Sequence, residues 1–205
     1  MRILVVAATE LEVPLLSTGR RGDHDIDLLV TGVGMVSTAA RSAQALARTR
    51  YDVAYNFGVC GAFDRSLAPG TVVHVVSDRV SELGAEDGDR FLTLHELGLE
   101  QDCGVSNEAP PANAVLRALP AVRGITVNTV HGSERSIAAV VDRLSPQVES
   151  MEGAAFAYAC TISGIAYAQV RAVSNIVERR NRGAWRLDLA IRNLNDTAGR
   201  ILDFA

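Results

Sequence analysis

The sequence predicts an α/β protein, a three-layer α/β/α sandwich around a mixed central β-sheet. Short, mainly apolar runs are typical of strands covered on both faces, and they recur at Ile3 to Ala8, Ile26 to Thr31, Val53 to Phe57, Thr71 to Val76, Ile125 to Val130 and Ile165 to Val173. Helical patterns lie between several of these runs, at Val36 to Ala47, Ser133 to Leu144, Met151 to Ile162 and Ala184 to Ile201. This alternation favours helices on both sides of the sheet. Such sheets bind ligands beyond the carboxyl ends of their strands.

Length and composition predict a single domain over residues 1–205. The 205 residues, 48% of them hydrophobic, suffice for one substantial core, and no linker or repeat divides the chain. The net charge is -4, from 20 basic and 24 acidic residues, without a basic run to follow the phosphates of a nucleic acid. No segment approaches the roughly 20 apolar residues that span a bilayer. We therefore expect neither a nucleic-acid nor a membrane partner.

Cysteine usage is typical of a reducing compartment. Cys60, Cys103 and Cys160 are widely spaced and form no CxxC motif. The first apolar run leads into TELE instead of a small-residue cleavage site, which indicates a mature N-terminus. We expect a cytoplasmic protein.

The middle of the chain, residues 79–111, has no clear period. It is rich in Glu, Asp and Gly and ends in Ala-Pro-Pro, which predicts a long surface excursion. A substrate lid, an oligomer contact and a plain loop all remain open.

The first strand ends in AATELEV, which places Glu10 and Glu12 just beyond its carboxyl edge. Reactive groups of an α/β site collect at such an edge. Acidic residues are also favoured in the first turn of a helix, so this motif alone leaves both interpretations open.

Two glycine motifs follow later strands. TGVGMVSTAA has Ser37 where a dinucleotide fingerprint has its third glycine, and no acid follows about twenty residues on, so we expect no dinucleotide cofactor. This turn either brings backbone N–H groups to a ligand or only reverses the chain. In YNFGVCGAFD, the two glycines around Cys60 let a flat or sugar-like ligand approach the sheet edge, and we interpret Cys60 as a packing residue.

The run QVESMEGAAFAYAC is the strongest single signal. Glu152 stands among small residues at the start of a predicted helix, where a surface ion pair is not expected. A carboxylate can accept hydrogen bonds from two vicinal hydroxyls of a ribose. The last strand ends at Ser174 and Asn175, and Asn175 is either a ligand contact or a turn residue.

Taken together, AATELEV, NFGVCG, SMEGAA and RAVSN resemble the nucleoside phosphorylase and nucleosidase superfamily in order and spacing over essentially the whole chain. Within it, the pattern is most similar to the futalosine hydrolase family of an alternative menaquinone pathway, especially in ERRNRGAWRLDLAI. The resemblance implies cleavage of a nucleoside N-glycosidic bond. It also implies a homo-oligomer, since relatives are commonly dimers or larger.

The resemblance assigns roles residue by residue. Glu12 falls on the water-activating carboxylate and Asn175 on the position facing purine N7. The other implied substrate contacts are the ribose-binding pair Met151 and Glu152, the strand-end residues Gly58 and Val59, and the base-pocket residues Val130 and His131.

Two departures from the family pattern sharpen the expected reaction. Phosphorylases have Arg and Thr where this chain has Asn56 and Val59, which disfavours phosphate and favours water as the nucleophile. Adenosine-type nucleosidases have Asp where this chain has Asn175. An amide can donate to O6 and accept from a protonated N7, so a 6-oxopurine such as hypoxanthine is the expected leaving group.

Other functions stay open on the sequence. They are a methylthioadenosine/adenosylhomocysteine nucleosidase, a purine nucleoside phosphorylase and a nucleoside-binding module without catalysis. No cofactor is implied, and no His/Cys/Asp cluster has metal-ligand spacing. The loop after Asn175 contains Arg179, Arg180 and Arg182, which either pair with a substrate carboxylate or are solvated surface residues.

Overall fold

A mixed β-sheet forms the centre of the protein in a computed structural model that describes residues 1–99, 104–107 and 109–204. The strands of this described part are β1 (Arg2–Ala7), β2 (Gly19–Arg21), β3 (His24–Val30), β4 (Val53–Ala62), β5 (Val72–Arg79), β6 (Gly84–Asp87), β7 (Arg90–Thr93), β8 (Gly104–Ser106), β9 (Ala121–Thr126), β10 (Val148–Ser150) and β11 (Ala166–Ile176). The α-helices are α1 (Met35–Arg48), α2 (Ala114–Ala118), α3 (Glu134–Leu144), α4 (Gly153–Ile162) and α5 (Leu187–Asp203), and short 3₁₀ helices cover Glu10–Glu12 and Arg182–Ala184.

The strands follow the order β10-β9-β5-β11-β4-β1-β3-β2, with β8 paired to β5. β1 is parallel to β3 and β4, and β4 is parallel to β11, whereas β5 is antiparallel to β11. Because β10 pairs with both β9 and β4, one end of the sheet closes into a ring. The ring brings Glu149 of β10 opposite Gly61 of β4. The prediction of a mixed central sheet is confirmed.

Helices cover both faces of this sheet. Val5 of β1 belongs to one buried cluster with Leu194 of α5, and the next residue, Val6, belongs to another with Phe156 of α4. Successive side chains of a strand point to opposite faces, so a strand covered on both sides is apolar throughout. The α/β/α layering follows from this pattern, as predicted. No helix in the described ranges combines the length and hydropathy needed to cross a membrane.

The segment 79–111 contains more regular structure than we expected from its sequence. β6 and β7 form a hairpin that turns at Gly88, and β8 adds to the central sheet by pairing with β5. These strands are three or four residues long, β6 is largely exposed and β7 and β8 are mostly half-buried, so they carry no continuous buried apolar run. The predicted surface excursion therefore contains short strands that its sequence pattern did not reveal. Residues 100–103 and 108 lie outside the described part.

Two elements also begin or end at residues other than those predicted from the sequence. β9 ends at Thr126, which leaves Val130 and His131 in a loop. α4 begins at Gly153, so Glu152 is its N-cap residue and not a member of its first turn. The first helical N–H groups bind hydroxyls from other segments: Ala154 donates to Thr126 Oγ1 (2.7 Å) and Gly153 to Ser150 Oγ (3.3 Å). A cap supplied by another strand leaves no local sequence signal.

Candidate active site

Glu12 and Glu152 are both buried although they carry ionisable groups. Glu12 ends the 3₁₀ helix that follows β1 and is 9% exposed, and Glu152 precedes α4 and is 8% exposed. The two carboxylates interact electrostatically, and Glu12 contributes to raising the pKa of Glu152. The structure therefore brings together two acids that are 140 positions apart in the sequence.

Three donors hold the Glu12 carboxylate. Its Oε1 accepts from the backbone N–H of Val59 at 3.1 Å, and its Oε2 accepts from the Thr9 N–H at 3.0 Å and the Thr9 hydroxyl at 3.3 Å. Gly58 provides the space, because a Cβ at that position would lie 3.0 Å from Oε1. Donors on both oxygens fix the position of the carboxylate, as a general base requires. Gly58 and Val59 thus lie beside Glu12.

The glycine turn before α1 positions Glu152. Gly34 has a φ of +100° and donates its N–H to Glu152 Oε1 at 3.0 Å. Burial raises the pKa of Glu152, while Arg171 and the Gly34 N–H act in the opposite direction and Glu12 adds to the increase. The sequence left open whether this turn directs an N–H group to a ligand or only reverses the chain. In the structure the Gly34 N–H is bound to the Glu152 carboxylate.

Arg171 is a buried cation that our sequence interpretation assigned no role. It is 1% exposed in β11, donates to Asn56 Oδ1, and its Nη1 lies 2.7 Å from the point that a Cβ on Gly58 would occupy. Its charge lowers the pKa of Glu152. The available signal was an arginine inside the apolar strand AYAQVRAVSNI, where an unpaired charge would be costly.

This arginine corrects part of the reasoning about phosphate. The sequence has Asn56 in place of the phosphorylase arginine, but Arg171 of β11 supplies a cation next to Asn56. Arg171 also acts on the acids Glu152 and Asp78, whose pKa values it lowers. These nearby carboxyl groups compete with a phosphate anion for the guanidinium.

Asn175 of β11 lies in a second group of residues, next to Gly61 near the end of β4. It lines a small pocket together with Gly61, Val130, His131 and Glu149. The Ser174 hydroxyl lies 2.7 Å from Asn175 Oδ1, and Asn175 Nδ2 donates to the Ile176 carbonyl at 3.1 Å. One amide hydrogen of Nδ2 remains for another acceptor. The three predicted base contacts therefore share one pocket.

Consecutive residues of β4 connect the two groups, since Gly58 and Val59 adjoin Glu12 and Gly61 adjoins Asn175.

Met151 is half-buried and packs against the apolar cluster of Ile125, Val127 and Val140. Its predicted ribose contact stays a prediction.

Cys60 lies between the two groups and is 3% exposed. Burial raises the pKa of its thiol to about 12. The thiol thus stays protonated at neutral pH, which agrees with the packing role expected from the sequence.

A family model described as the phosphorylase superfamily matches residues 5–204. The chain belongs to the phosphorylase superfamily.

Three curated proteins named futalosine hydrolase are similar to it. The protein from Streptomyces coelicolor is 32% identical over 211 residues, covering 98% of this chain and 88% of that protein. The protein from Thermus thermophilus is 29% identical over 217 residues, with coverage of 97% and 94%. The protein from Acidothermus cellulolyticus is 36% identical over 192 residues, with coverage of 88% and 77%.

Solved structures of the superfamily share the fold at low sequence identity. The native structure of futalosine hydrolase from Helicobacter pylori has a TM-score of 0.84 at 13% identity and covers 98% of this chain and 97% of its own. A variant of the methylthioadenosine/adenosylhomocysteine nucleosidase from the same organism, with 5′-methylthioadenosine in its active site, has a TM-score of 0.85 at 14% identity, with coverage of 98% of both chains. Both comparisons support the fold.

In this member of the superfamily, a buried polar network supports the start of α4. Asp78 of β5 is 4% exposed and accepts from the Thr126 hydroxyl at 2.9 Å, and Thr126 Oγ1 in turn accepts from the Ala154 N–H at 2.7 Å. A Cβ on Gly153 would overlap Asp78 Oδ2 and Gln169 Oε1. The network thereby fixes the residue that follows Glu152. Within the described part of the chain, no group of His, Cys, Asp or Glu is arranged to hold a metal ion.

Gly153→Ala is expected to destabilise the protein and to slow the reaction. The new methyl group must displace Asp78 or Gln169 from a packed interior, and overpacking of this kind costs about 1–3 kcal/mol. Because α4 starts there, Glu152 should move with it. Urea unfolding and steady-state kinetics measure the two effects. Gly183→Ala is the control, since its Cβ would meet only Asn181 Oδ1 at 3.6 Å. Equal stability of the two variants would contradict the packing argument.

Asp78 should make stability depend on pH. Burial raises the pKa of this carboxyl to about 6, from an ordinary 3.8, although Thr126 and Arg171 oppose the shift. The folded state therefore binds the proton more tightly, and this contribution is complete below about pH 4 and lost as pH rises through 6. At 1.36 kcal/mol per pKa unit, the loss is at most about 3 kcal/mol.

Asp78→Asn cannot ionise, so its free energy of unfolding should lack this decline. Urea unfolding at pH 5 and pH 7.5 measures the difference for both proteins. Asp89→Asn is the control because the Asp89 side chain is fully exposed. If wild type and Asp78→Asn show the same change with pH, Asp78 does not titrate in this range.

Proposed function

We propose that this protein hydrolyses the N-glycosidic bond of futalosine and releases hypoxanthine and dehypoxanthine futalosine. The observation that carries the proposal is the order of groups along β4, where Glu12 adjoins Gly58 and Val59, and Asn175 adjoins Gly61. A water-activating carboxylate and an amide that holds the purine base thus flank one strand end. The similarity to three proteins named futalosine hydrolase supports this substrate.

Glu12 acts as the general base in the proposed reaction. Its two oxygens are fixed by N–H and O–H donors, and Oε1, which accepts from Val59, keeps a lone pair for a proton of the attacking water. The water attacks the anomeric carbon as the bond to the base lengthens through an oxocarbenium-like state. Arg171, beside Gly58, adds positive charge close to the point where Glu12 gains its proton.

Glu152 holds the ribose. The Gly34 N–H uses one acceptor position of Glu152 Oε1, and the remaining acceptor positions of the carboxylate suit the 2′ and 3′ hydroxyl groups. Met151, the preceding residue, completes the proposed ribose contact from its half-buried position.

Asn175 stabilises the departing base. Its carbonyl oxygen accepts from protonated N7 and its free N–H donates to O6, so hypoxanthine satisfies both ends of the amide. Val130 and His131 line the same pocket and contact the ring. An adenine leaving group would direct its amino group at an N–H donor, which a buried site disfavours.

Product analysis tests the proposal against its alternatives. Purified protein is incubated with futalosine, methylthioadenosine, adenosylhomocysteine and inosine, each with and without phosphate, and the free base is quantified. We expect hypoxanthine from futalosine at a rate that phosphate does not change. Preferential release of adenine would assign a methylthioadenosine/adenosylhomocysteine nucleosidase. Phosphate-dependent release with a sugar phosphate as product would assign a phosphorylase. Tight binding without cleavage would assign a binding module.

The apolar surface near the site supports a homo-oligomer. A cavity of about 770 Å³ is lined by Met35, Val36, Leu83, Ala155 and Tyr158, and Val36 and Tyr158 are 82% and 58% exposed. Large exposed apolar patches mark contact surfaces. We propose that a second copy of the chain covers this face. Sedimentation of wild type and Val36→Glu tests it, with a shift toward monomer expected for the variant and identical masses contradicting it.

The remaining proposals concern context. A single nucleosidase domain over residues 1–205 is supported by the family model, which matches residues 5–204. Cytoplasmic location is supported by the two described cysteines, Cys60 and Cys160, which are buried free thiols. A place in menaquinone biosynthesis follows from the futalosine substrate.

A further inference from the structure

Glu149 is a buried carboxylate for which the proposed mechanism has no task. It lies in β10, is 4% exposed and lines the pocket that contains Asn175. The Cβ that Gly61 lacks would be 3.4 Å from Asn175 Nδ2 and 3.5 Å from Glu149 Cγ. The two side chains therefore flank the same space, which exists because residue 61 is glycine.

His131 fixes the orientation of Glu149. Its backbone N–H donates to Glu149 Oε1 at 3.1 Å, and its Nδ1 lies 2.6 Å from Glu149 Oε2. The imidazole also packs edge-on against Phe63, with ring centroids 5.8 Å apart. One donor on each oxygen leaves each oxygen a further lone pair, since an ionised carboxylate offers about four acceptor positions. The pocket is where those positions are accessible.

Burial of an acid beside a ligand pocket is costly unless its acceptor positions are used. The desolvation of a carboxylate costs several kcal/mol, and two hydrogen bonds from one histidine return only part of this. A hydrogen-bond donor on the ligand would supply the missing partner. Asn175, which lines the same pocket, faces N7 and O6 of the proposed base, so a ligand donor for Glu149 would lie on the adjoining edge of the ring.

A 6-oxopurine has such a donor. Along one edge it presents N7, then the O6 oxygen, then N1–H, whereas a 6-aminopurine has a lone pair on N1. We propose that Glu149 is a specificity-determining residue that accepts a hydrogen bond from N1–H of a 6-oxopurine, and that His131 is its positioning residue. The inference rests on the proposed function and extends it, because it explains how the site rejects adenine nucleosides. With adenine, the N1 lone pair would face the carboxylate in a desolvated pocket.

Binding and turnover of matched purines test this role. Hypoxanthine and adenine are titrated calorimetrically into wild type and Glu149→Gln, and kcat/KM is measured for futalosine and its 6-amino analogue. A glutamine can donate to N1 of adenine, so we expect the hypoxanthine-to-adenine affinity ratio and the corresponding kcat/KM ratio to fall by at least about 100-fold. His131→Phe should lower both ratios, and His131→Asn, which keeps a side-chain donor, should restore part of them. Glu134→Gln is the control, because Glu134 is exposed at the start of α3 and does not line this pocket.

A structural role alone predicts a different outcome. Glu149→Gln would then lower the melting temperature and reduce kcat/KM equally for futalosine and its 6-amino analogue. Unchanged affinity and kcat/KM ratios in a folded variant would overturn the inference. The base titrations also separate the two proposals. Wild type that binds hypoxanthine through Glu149 but does not cleave futalosine would refute the proposed substrate and leave the role of Glu149 standing. Cleavage of futalosine with unchanged ratios in the variant would do the reverse.

Discussion

Glu12→Gln is expected to lower kcat for futalosine by about 10²- to 10⁴-fold, the usual contribution of a positioned general base. An amide keeps the volume of the side chain and one acceptor for Val59 or Thr9, but it cannot take a proton from water. The other donor loses its acceptor, which costs about 1–3 kcal/mol of stability. Single-turnover kinetics with futalosine measure the chemical step, and circular dichroism checks the fold.

The neighbouring acid provides the matched control. Glu10 is exposed and lies in the same 3₁₀ helix, so Glu10→Gln should retain wild-type turnover. If Glu12→Gln is folded and turns over futalosine at a near-normal rate, Glu12 is not the base, and Glu10 becomes the acid to test next.

Glu152→Ala should reduce kcat/KM for futalosine by about 10²- to 10³-fold, because two hydrogen bonds to a charged group are lost. Part of this loss is indirect, since Gly34 N–H also loses its acceptor. Comparing futalosine with its 2′-deoxy analogue separates the lost ribose contact from the indirect effect of the unpaired Gly34 N–H. Wild type should prefer futalosine strongly over its 2′-deoxy analogue, and Glu152→Ala should distinguish them much less.

Glu134→Ala serves as the control for Glu152→Ala. Glu134 also stands at the start of a helix, α3, but it is exposed. An unchanged preference for the 2′-hydroxyl in Glu152→Ala would show that Glu152 does not bind the ribose.

Local pattern was sufficient for the central strands and the long helices. β1 is apolar at nearly every position because clusters on both faces of the sheet contain its side chains. α1 and α5 alternate exposed and buried residues with a helical period. The short strands β6, β7 and β8 were missed because three or four residues without a buried apolar run carry no such period.

The candidate site shows the same division. Glu12, Glu152 and Asn175 could be proposed from motifs, because each follows or precedes an element in a recognisable order. Arg171 and Glu149 could not. Arg171 lies within an apolar strand, and Glu149 acquires its place only when β10 pairs with β4 and closes the ring.

The sequence by itself therefore determined the α/β class, the superfamily and the two acids, Glu12 and Glu152, that first indicate a nucleosidase. The tertiary structure decided their surroundings: the Gly34 N–H on Glu152, the Val59 N–H on Glu12 and the Arg171 guanidinium beside Asn56. It also decided that Glu149 and His131 share a pocket with Asn175. The physical reason is that periodicity reports which face of an element is buried, whereas hydrogen bonds between distant segments depend on strand order and register.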